Sequence, residues 1–260
     1  MTPPQLRSPQ LEFPFTLTKT CQPNVRNCGP LLETGWDHCL QNHPNPGLGI
    51  TLIDIICYGA FIGYTGAPQF ILGENLPSAL NNLTSITKAI EKRAATRQIL
   101  RLTTLPAKYI ASPLGLAPKQ DGTWRRIHHL SSPSGHSVND YIPQGWGTLT
   151  YTRFDNAVAT VQACGPRAVL IKRDLADAFR HIPVHPDNRW LLGFGWMETW
   201  RCDQFLPFGC RTSPAIFDLF ASALEWILQT QRGWEHTLHY LDDFLAIFPH
   251  STTPSDAPNW

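Results

Sequence analysis

His239-Tyr240-Leu241-Asp242-Asp243-Phe244-Leu245 places two adjacent carboxylates between two apolar runs. Thr237-Leu238-His239-Tyr240-Leu241 precedes them and Phe244-Leu245-Ala246-Ile247-Phe248 follows. Each run holds about five residues, mostly aromatic or aliphatic, the make-up of a buried strand. The aspartates alone separate the runs, so the stretch reads as a tight hairpin with the pair at its tip. Side by side, two carboxylates repel, and one tends to keep a proton. A divalent cation removes that conflict. Mg²⁺, which takes oxygen ligands from one or two carboxylates plus substrate phosphates, is the natural choice. Aspartate also favours turns for local hydrogen-bonding reasons, so a solvated Asp-Asp turn is the competing reading.

A third aspartate in a similar setting bears on that choice. Ala168-Val169-Leu170-Ile171 is a β-rich run that enters Lys172-Arg173-Asp174-Leu175-Ala176-Asp177-Ala178-Phe179-Arg180. This reads as a buried strand delivering Asp174 at its end, then a short helix. If the two strands are neighbours, Asp174 joins Asp242 and Asp243. Between them, residues 190–197 read as a strand and 206–214 as a loop. Ser213-Pro214 then opens a helix to about Gln231. Ile216, Phe217, Leu219, Phe220, Ala223, Leu224, Ile227 and Leu228 give that helix a broad apolar face.

Upstream, Asp121-Gly122 is a strong hairpin signal, with residues 124–130 as the returning strand. Lys119 and Arg125 flank the turn. They could clamp a triphosphate, or simply protect an edge strand with charge. Residues 85–102 read as a helix with Ile86, Ala89, Ile90, Ala94 and Leu100 on an imperfect apolar face; a plain surface helix is the alternative. Asn75-Leu76-Pro77-Ser78 looks like a helix start. Residues 50–64 are the most apolar stretch, but Asp54 interrupts them and they are short for a membrane span, so a buried helix or hairpin is expected. His43-Pro44-Asn45-Pro46-Gly47 reads as a turn-rich break. Residues 1–35 and 251–260 show no period and read as a disordered lead-in and tail.

The chain has 260 residues, 23 prolines and a net charge of +1. The charge is unevenly spread. Residues 88–126 hold nine Lys and Arg against two acids, whereas residues 174–260 hold eleven acids against five arginines. A basic half beside an acidic half fits a polyanion gripped on one side and a cation held on the other, although ordinary solvated surface gives the same tally. The seven cysteines include no tight Cys-x-x-Cys pair, and Cys21, Cys28 and Cys39 with His38 and His43 lack zinc-site spacing. Reduced thiols and an intracellular location, cytoplasm or nucleus, are expected, with no secretion and no membrane partner.

Four motifs in order, Lys119…Arg125, Asp174-Leu175-Ala176-Asp177-Ala178-Phe179, Leu206-Pro207-Phe208-Gly209…Ser213-Pro214 and Tyr240-Leu241-Asp242-Asp243, resemble the fingers and palm of a reverse transcriptase. The flavour is closest to the DIRS group of tyrosine-recombinase retrotransposons. Arg126-Ile127-His128-His129-Leu130-Ser131 with Ser137-Val138-Asn139-Asp140 is similar to a phrase of that group, and His43-Pro44, Ile62-Gly63-Tyr64 and Asn75-Leu76-Pro77-Ser78 look like it too. The resemblance covers roughly residues 40–250. It implies an α+β fold, an antiparallel palm sheet packed on helices with fingers over residues 106–250, behind a mostly helical extension over 36–105.

The resemblance also implies roles. Asp174 and Asp242, supported by Asp243, would bind two Mg²⁺ ions, one serving the primer 3′-hydroxyl and one the triphosphate. Lys119 and Arg125 would grip the phosphates, helped by the backbone amides of Asp177 and Ala178. Phe179 would pack under the sugar and exclude a 2′-hydroxyl, or be a core aromatic. Phe208 and Gly209 would line the dNTP pocket, and Tyr240 would lie beside the primer end. The partners implied are dNTP and an RNA or DNA template with its primer. Nothing after Phe248 resembles a primer-grip hairpin, thumb or RNase H domain, so those parts are expected elsewhere or lost. Gln120 stands where related fingers often carry a second lysine. The function implied is RNA-directed DNA polymerase. A catalytically silent retroelement remnant that at most binds nucleic acid is the alternative, with an unrelated metal-dependent binding module as a third reading.

Overall fold

The computed structural model describes residues 29–119 and 122–250. Cys21, Cys28, Gln120, Asp121, most of the expected lead-in and the tail lie outside the described residues.

The two apolar runs around the paired aspartates form β9 (Thr237–Tyr240) and β10 (Asp243–Phe248), joined antiparallel. β10 also pairs antiparallel with β6 (Val169–Asp174), from Asp243 opposite Asp174 to Phe248 opposite Val169. The three-stranded order is β6-β10-β9, which brings the Asp174 strand and the hairpin together as expected. One detail differs. Asp243 is already a strand residue opposite Tyr240, so the turn consists of Leu241 and Asp242. Leu241 takes φ +53°, because a two-residue hairpin turn that follows strand twist needs a positive φ at its centre. For a bulky side chain this costs about 1–3 kcal/mol.

Helices cover one side of this sheet. α6 (Ser213–Gln231) opens with Ser213-Pro214 as expected and buries Ile216, Phe217, Phe220, Ala223, Ile227 and Leu228. α1 (Glu33–Leu40) and α2 (Pro46–Tyr58) join the same core through Leu40, Leu52 and Ile56. The expected break at 43–47 is the start of α2. Asn45 accepts from the Leu48 N–H and Pro46 occupies the first turn, where its missing donor costs nothing. α2 ends at Gly59, φ +90°, where a Cβ would sit 2.5 Å from the His185 nitrogen. α5 (Phe154–Cys164) lies against β10.

A five-stranded sheet, ordered β1-β3-β7-β8-β2, forms the other half. Its strands are β1 (Phe70–Leu72), β2 (Ile99–Arg101), β3 (Tyr109–Ala111), β7 (Gly193–Trp196) and β8 (Thr199–Asp203). The helix expected over 85–102 is shorter: α4 (Leu83–Ala95) stops before Arg97 turns left-handed at φ +57°, and Ile99–Arg101 pairs with β8. Sheet pairing that only the folded chain offers overrides local helix preference there. The strand expected over 190–197 is confined to Gly193–Trp196, since Pro186–Leu192 forms a 3₁₀ stretch capped by His185. β8 itself had no sequence signal. Its turn, Met197-Glu198, has both residues at positive φ without a Gly or Asn. Over 36–105 the helices α1 to α4 alternate with irregular stretches and with β1 and β2, and both strands join the sheet of the later chain.

The hairpin of β4 (Leu114–Pro118) and β5 (Trp124–His128) forms where Asp-Gly predicted it, with Pro118 opposite Trp124. Leu114 and Leu116 pack with Ile86 and Ile90 of α4, Ala79 of α3 (Pro77–Leu80), Ile99, Phe194 and Trp196 in a second core. Among the described residues, no helix is long and apolar enough to cross a membrane.

Candidate active site

Asp174, the last residue of β6, and Asp243, the first of β10, face each other across the sheet, with Asp242 in the adjoining turn. The Leu175 N–H donates to the Asp242 carbonyl at 2.9 Å, tying the chain after Asp174 to that turn. Burial raises the Asp242 carboxyl above its ordinary value, and the charges of Asp174 and Asp243 push it the same way, while Arg125 pulls it down. Asp243 is relieved by an exposed ion pair with Lys172, Nζ to Oδ1 3.0 Å. Among the described residues, no three or more His, Cys, Asp and Glu side chains form a ready-made metal cage. The donor set nevertheless fits a hard cation. It is all carboxylate oxygen, mutually repelling, at the open end of a sheet, and such an ion completes its shell with phosphates and water.

Arg125 is exposed on β5, and its guanidinium carbon lies 5.3 Å from the Phe208 ring centre. Phe208 also meets Phe179, at 4.8 Å between ring centres. Phe179 also touches Phe217 at 5.7 Å and is only 7% exposed. The ring expected under the sugar thus packs in the core beside Phe208, which is itself partly exposed. Lys119, exposed at the hairpin tip, has no ion pair among the described residues; its N–H donates to the Thr123 carbonyl at 2.8 Å.

The segment after Asp174 forms a tight turn. Asp177 is left-handed, φ +60°, and its carboxylate forms a two-pronged ion pair with Arg93 of α4. The Ala178 amide, implied as a phosphate donor, donates to the Leu175 carbonyl at 3.3 Å. Gly209 has φ +110°, and a Cβ there would lie 2.1 Å from the His128 carbonyl oxygen, so only glycine fits. Tyr240 is 52% exposed and stacks on Tyr151 at 4.8 Å.

Several residues with no assigned role support this site. Buried Asn139 donates from Nδ2 to the Gly209 carbonyl and to Ser131 Oγ, both at 2.8 Å, and accepts from the Arg211 N–H at 2.9 Å. Its phrase, Ser137-Val138-Asn139-Asp140, carried part of the resemblance, but no spacing pointed to this task. His239, at the root of the aspartate hairpin, is held by Glu225 and Asp218 of α6, the latter at 3.2 Å. Burial disfavours its charge, but the hydrogen bonds and charges of both acids outweigh burial and push the imidazole up to about 9. Asp203, at the end of β8, is fully buried and accepts from Arg126, Arg180 and His128.

Comparison with known proteins bears on the family and the fold. The family model for reverse transcriptase (RNA-dependent DNA polymerase) matches residues 117–256, more than half of the chain. The chain therefore belongs to the reverse transcriptase family, a nucleotidyltransferase lineage. Its fold is similar to that of the foamy viral protease-reverse transcriptase in complex with RNA/DNA hybrid, with a TM-score of 0.53 and 17% identity over 90% of this chain and 31% of that one. The dRH form in complex with ds DNA gives 0.51 and 19% over 87% and 40%. At those identities the likeness establishes the mixed α+β fold alone. The chain spans well under half of either relative.

Proposed function

We propose that this chain is the fingers-and-palm part of an RNA-directed DNA polymerase, joining dNTPs to the 3′-hydroxyl of a primer on an RNA or DNA template. The observation that carries this reading is the facing pair Asp174 and Asp243 with Asp242 in the turn, three carboxylates whose repulsion calls for a cation. Asp174 and Asp242, with Asp243, would hold two Mg²⁺ ions. When bound, such ions supply charge neutralisation and activation of the primer hydroxyl. Arg125, with Lys119 on the same hairpin, binds the triphosphate. Phe208 and Gly209 line the base and sugar side, backed by Phe179. Asp177 and Ala178 shape the turn beneath the phosphates, and Tyr240 with Tyr151 flanks the primer end. Template and primer grip is shared with parts of a longer polymerase, a thumb and RNase H domain. The phrases at 126–131 and 137–140 support a DIRS-type retrotransposon origin, and the free thiols of Cys39, Cys164, Cys202 and Cys210 support action inside the cell.

Primer extension on an RNA template with Mg²⁺ tests this. Asp174→Asn or Asp242→Asn removes one charge and one oxygen ligand at constant size, so extension is expected to fall at least about 100-fold while template–primer binding persists. Full activity of Asp174→Asn would sink the site assignment. Phe179→Val is expected to keep dNTP incorporation and admit ribonucleotides. Template binding by an inactive wild-type chain would favour the silent remnant.

A further inference from the structure

Asp203 lies outside the carboxylate end of the palm sheet, yet two separate segments converge on it from other parts of the chain. Arg126 of β5 donates through Nη2 to both its oxygens, at 2.9 and 3.1 Å. Arg180, in the 3₁₀ turn Ala178–His181, donates at 2.7 Å through Nη1. His128, also on β5, sets Nδ1 3.0 Å from Oδ2 and Nε2 3.0 Å from the Gly193 carbonyl. Burial alone would raise the Asp203 carboxyl, but the two guanidiniums and the imidazole hold it well below the ordinary carboxylate range.

The identity of the neighbours gives the cluster its meaning. Arg126 follows Arg125, and Arg180 follows Phe179. Side chains alternate along a strand, so fixing Arg126 on the buried face of β5 commits Arg125 to the opposite face, toward Phe208 and Asp242. The 177–180 turn is held twice, by Arg93 on Asp177 and by Asp203 on Arg180, and Gln98 joins both anchors by accepting from Arg93 at 2.8 Å and donating to the Arg180 carbonyl at 3.3 Å. The carbonyl of His128 is the atom that crowds Gly209.

Stability is a poor explanation for the arrangement. Two guanidiniums face one carboxylate in the interior, and Arg126 Nη1 is buried without a hydrogen-bond partner, its guanidinium lying over the Phe194 ring at 5.0 Å. A well-packed apolar set would be at least as stable. What the charged cluster supplies is a fixed relation among three segments.

We infer that Asp203 is the positioning residue of the nucleotide pocket: by holding Arg126 and Arg180 on one buried carboxylate, it sets the β4–β5 hairpin at a fixed distance from the floor at Phe179. What Arg125 and Phe179 bind rests on the proposed polymerase reading; the anchoring itself does not.

Two variants of the full chain test this. Asp203→Asn leaves two buried cations against a neutral amide. Asp203→Asn with Arg180→Met removes the bridge but restores the net charge of the cluster, which guards against a result that reports misfolding alone. Hydrogen exchange is read first. In both variants the β4–β5 amides are expected to exchange about tenfold faster or more, with α6 unchanged, because the hairpin opens as a unit of its own. Steady-state extension is read second. KM for dNTP is expected to rise about tenfold with kcat within about twofold, the mark of lost binding geometry rather than lost chemistry. Unchanged hairpin protection in the double variant, or a loss confined to kcat, overturns the inference. If the wild-type chain extends no primer, the polymerase reading fails by that measurement, and hydrogen exchange alone still decides whether Asp203 anchors the hairpin.

Discussion

Two groups of carboxylates in this molecule have opposite electrostatics. At the end of β6 and β10, Asp174, Asp242 and Asp243 lie together at a partly open edge, and Asp242 is pushed toward protonation. Inside the molecule, Asp203 sits among Arg126, Arg180 and His128, and is held firmly ionised. The first group has charge without enough partners, and the turn that carries it strains a leucine at φ +53°. The second has more positive charge than it needs. Unsatisfied negative charge at an accessible edge suits a site that awaits a cation and a polyphosphate. Satisfied charge in the core suits a joint that must not move. Perturbed pKa values occur at both, so the sign of the perturbation and the access of solvent separate ligand site from scaffold.

The largest expected effect breaks the buried side of this contrast. Asp203→Asn leaves Arg126 and Arg180 without a counter-ion in the interior, and the loss is expected to be about 3–5 kcal/mol by denaturant unfolding. A variant as stable as wild type would show that water or a rearrangement serves the guanidiniums equally well.

Sequence patterns showed one side of the contrast far better than the other. The aspartate hairpin, β6, the β4–β5 hairpin and α6 all carry local signals: runs of apolar residues, Asp-Gly, or Ser-Pro before a broad apolar face. Asp203 carries none. It is a single acid at the end of a strand whose turn, Met197-Glu198, lacks the usual glycine or asparagine. Its partners lie 23, 75 and 77 positions away, so only the closed fold assembles them. Arg126 and His128 were visible only as part of a family-like phrase, without a task. The basic stretch at 88–126 shows the same limit. Arg126 belongs to a buried ion pair and Arg93 to a partly exposed one, which a charge count cannot distinguish from the exposed Lys119 and Arg125. Helix preference likewise carried the 85–102 expectation past Ala95, because the partner of Ile99–Arg101 is a strand a hundred residues downstream.

A middle-sized effect sharpens the contrast through a group that touches neither carboxylate cluster directly. His239 bridges β9 to Asp218 and Glu225 of α6, and its pKa is pushed up from its ordinary 6.5 to about 9. A folded-state pKa above the unfolded one means that the stabilisation is complete below pH 6.5 and fades as pH rises through about 9. The whole contribution is at most about 3 kcal/mol. Unfolding midpoints measured across that window should fall in the wild type, and His239→Gln should flatten the slope. An equal slope in the variant would assign the alkaline loss to another group.

The smallest expected effect tests the exposed cluster without relying on catalysis. Because the Asp242 carboxyl is raised in the folded state, its ionisation opposes folding. The stabilisation it gives is present below the unfolded carboxylate range and is lost as pH rises through the folded value. At neutral pH in a chelating buffer, Asp242→Asn should therefore be slightly more stable than wild type, by a few tenths of a kcal/mol, since solvent screens a partly exposed group. Mg²⁺ should reverse the order. An ion that binds only the folded state stabilises it by RT ln(1 + [Mg²⁺]/Kd), so wild type should gain stability on titration and the variant should gain little. Mg²⁺ would then act where repulsion is relieved, and the Lys172–Asp243 pair would be too weak a substitute. Equal gains in both proteins would place the ion elsewhere. A variant less stable than wild type in the chelating buffer would mean that Asp242 holds the turn together by contacts that outweigh its repulsion from Asp174 and Asp243.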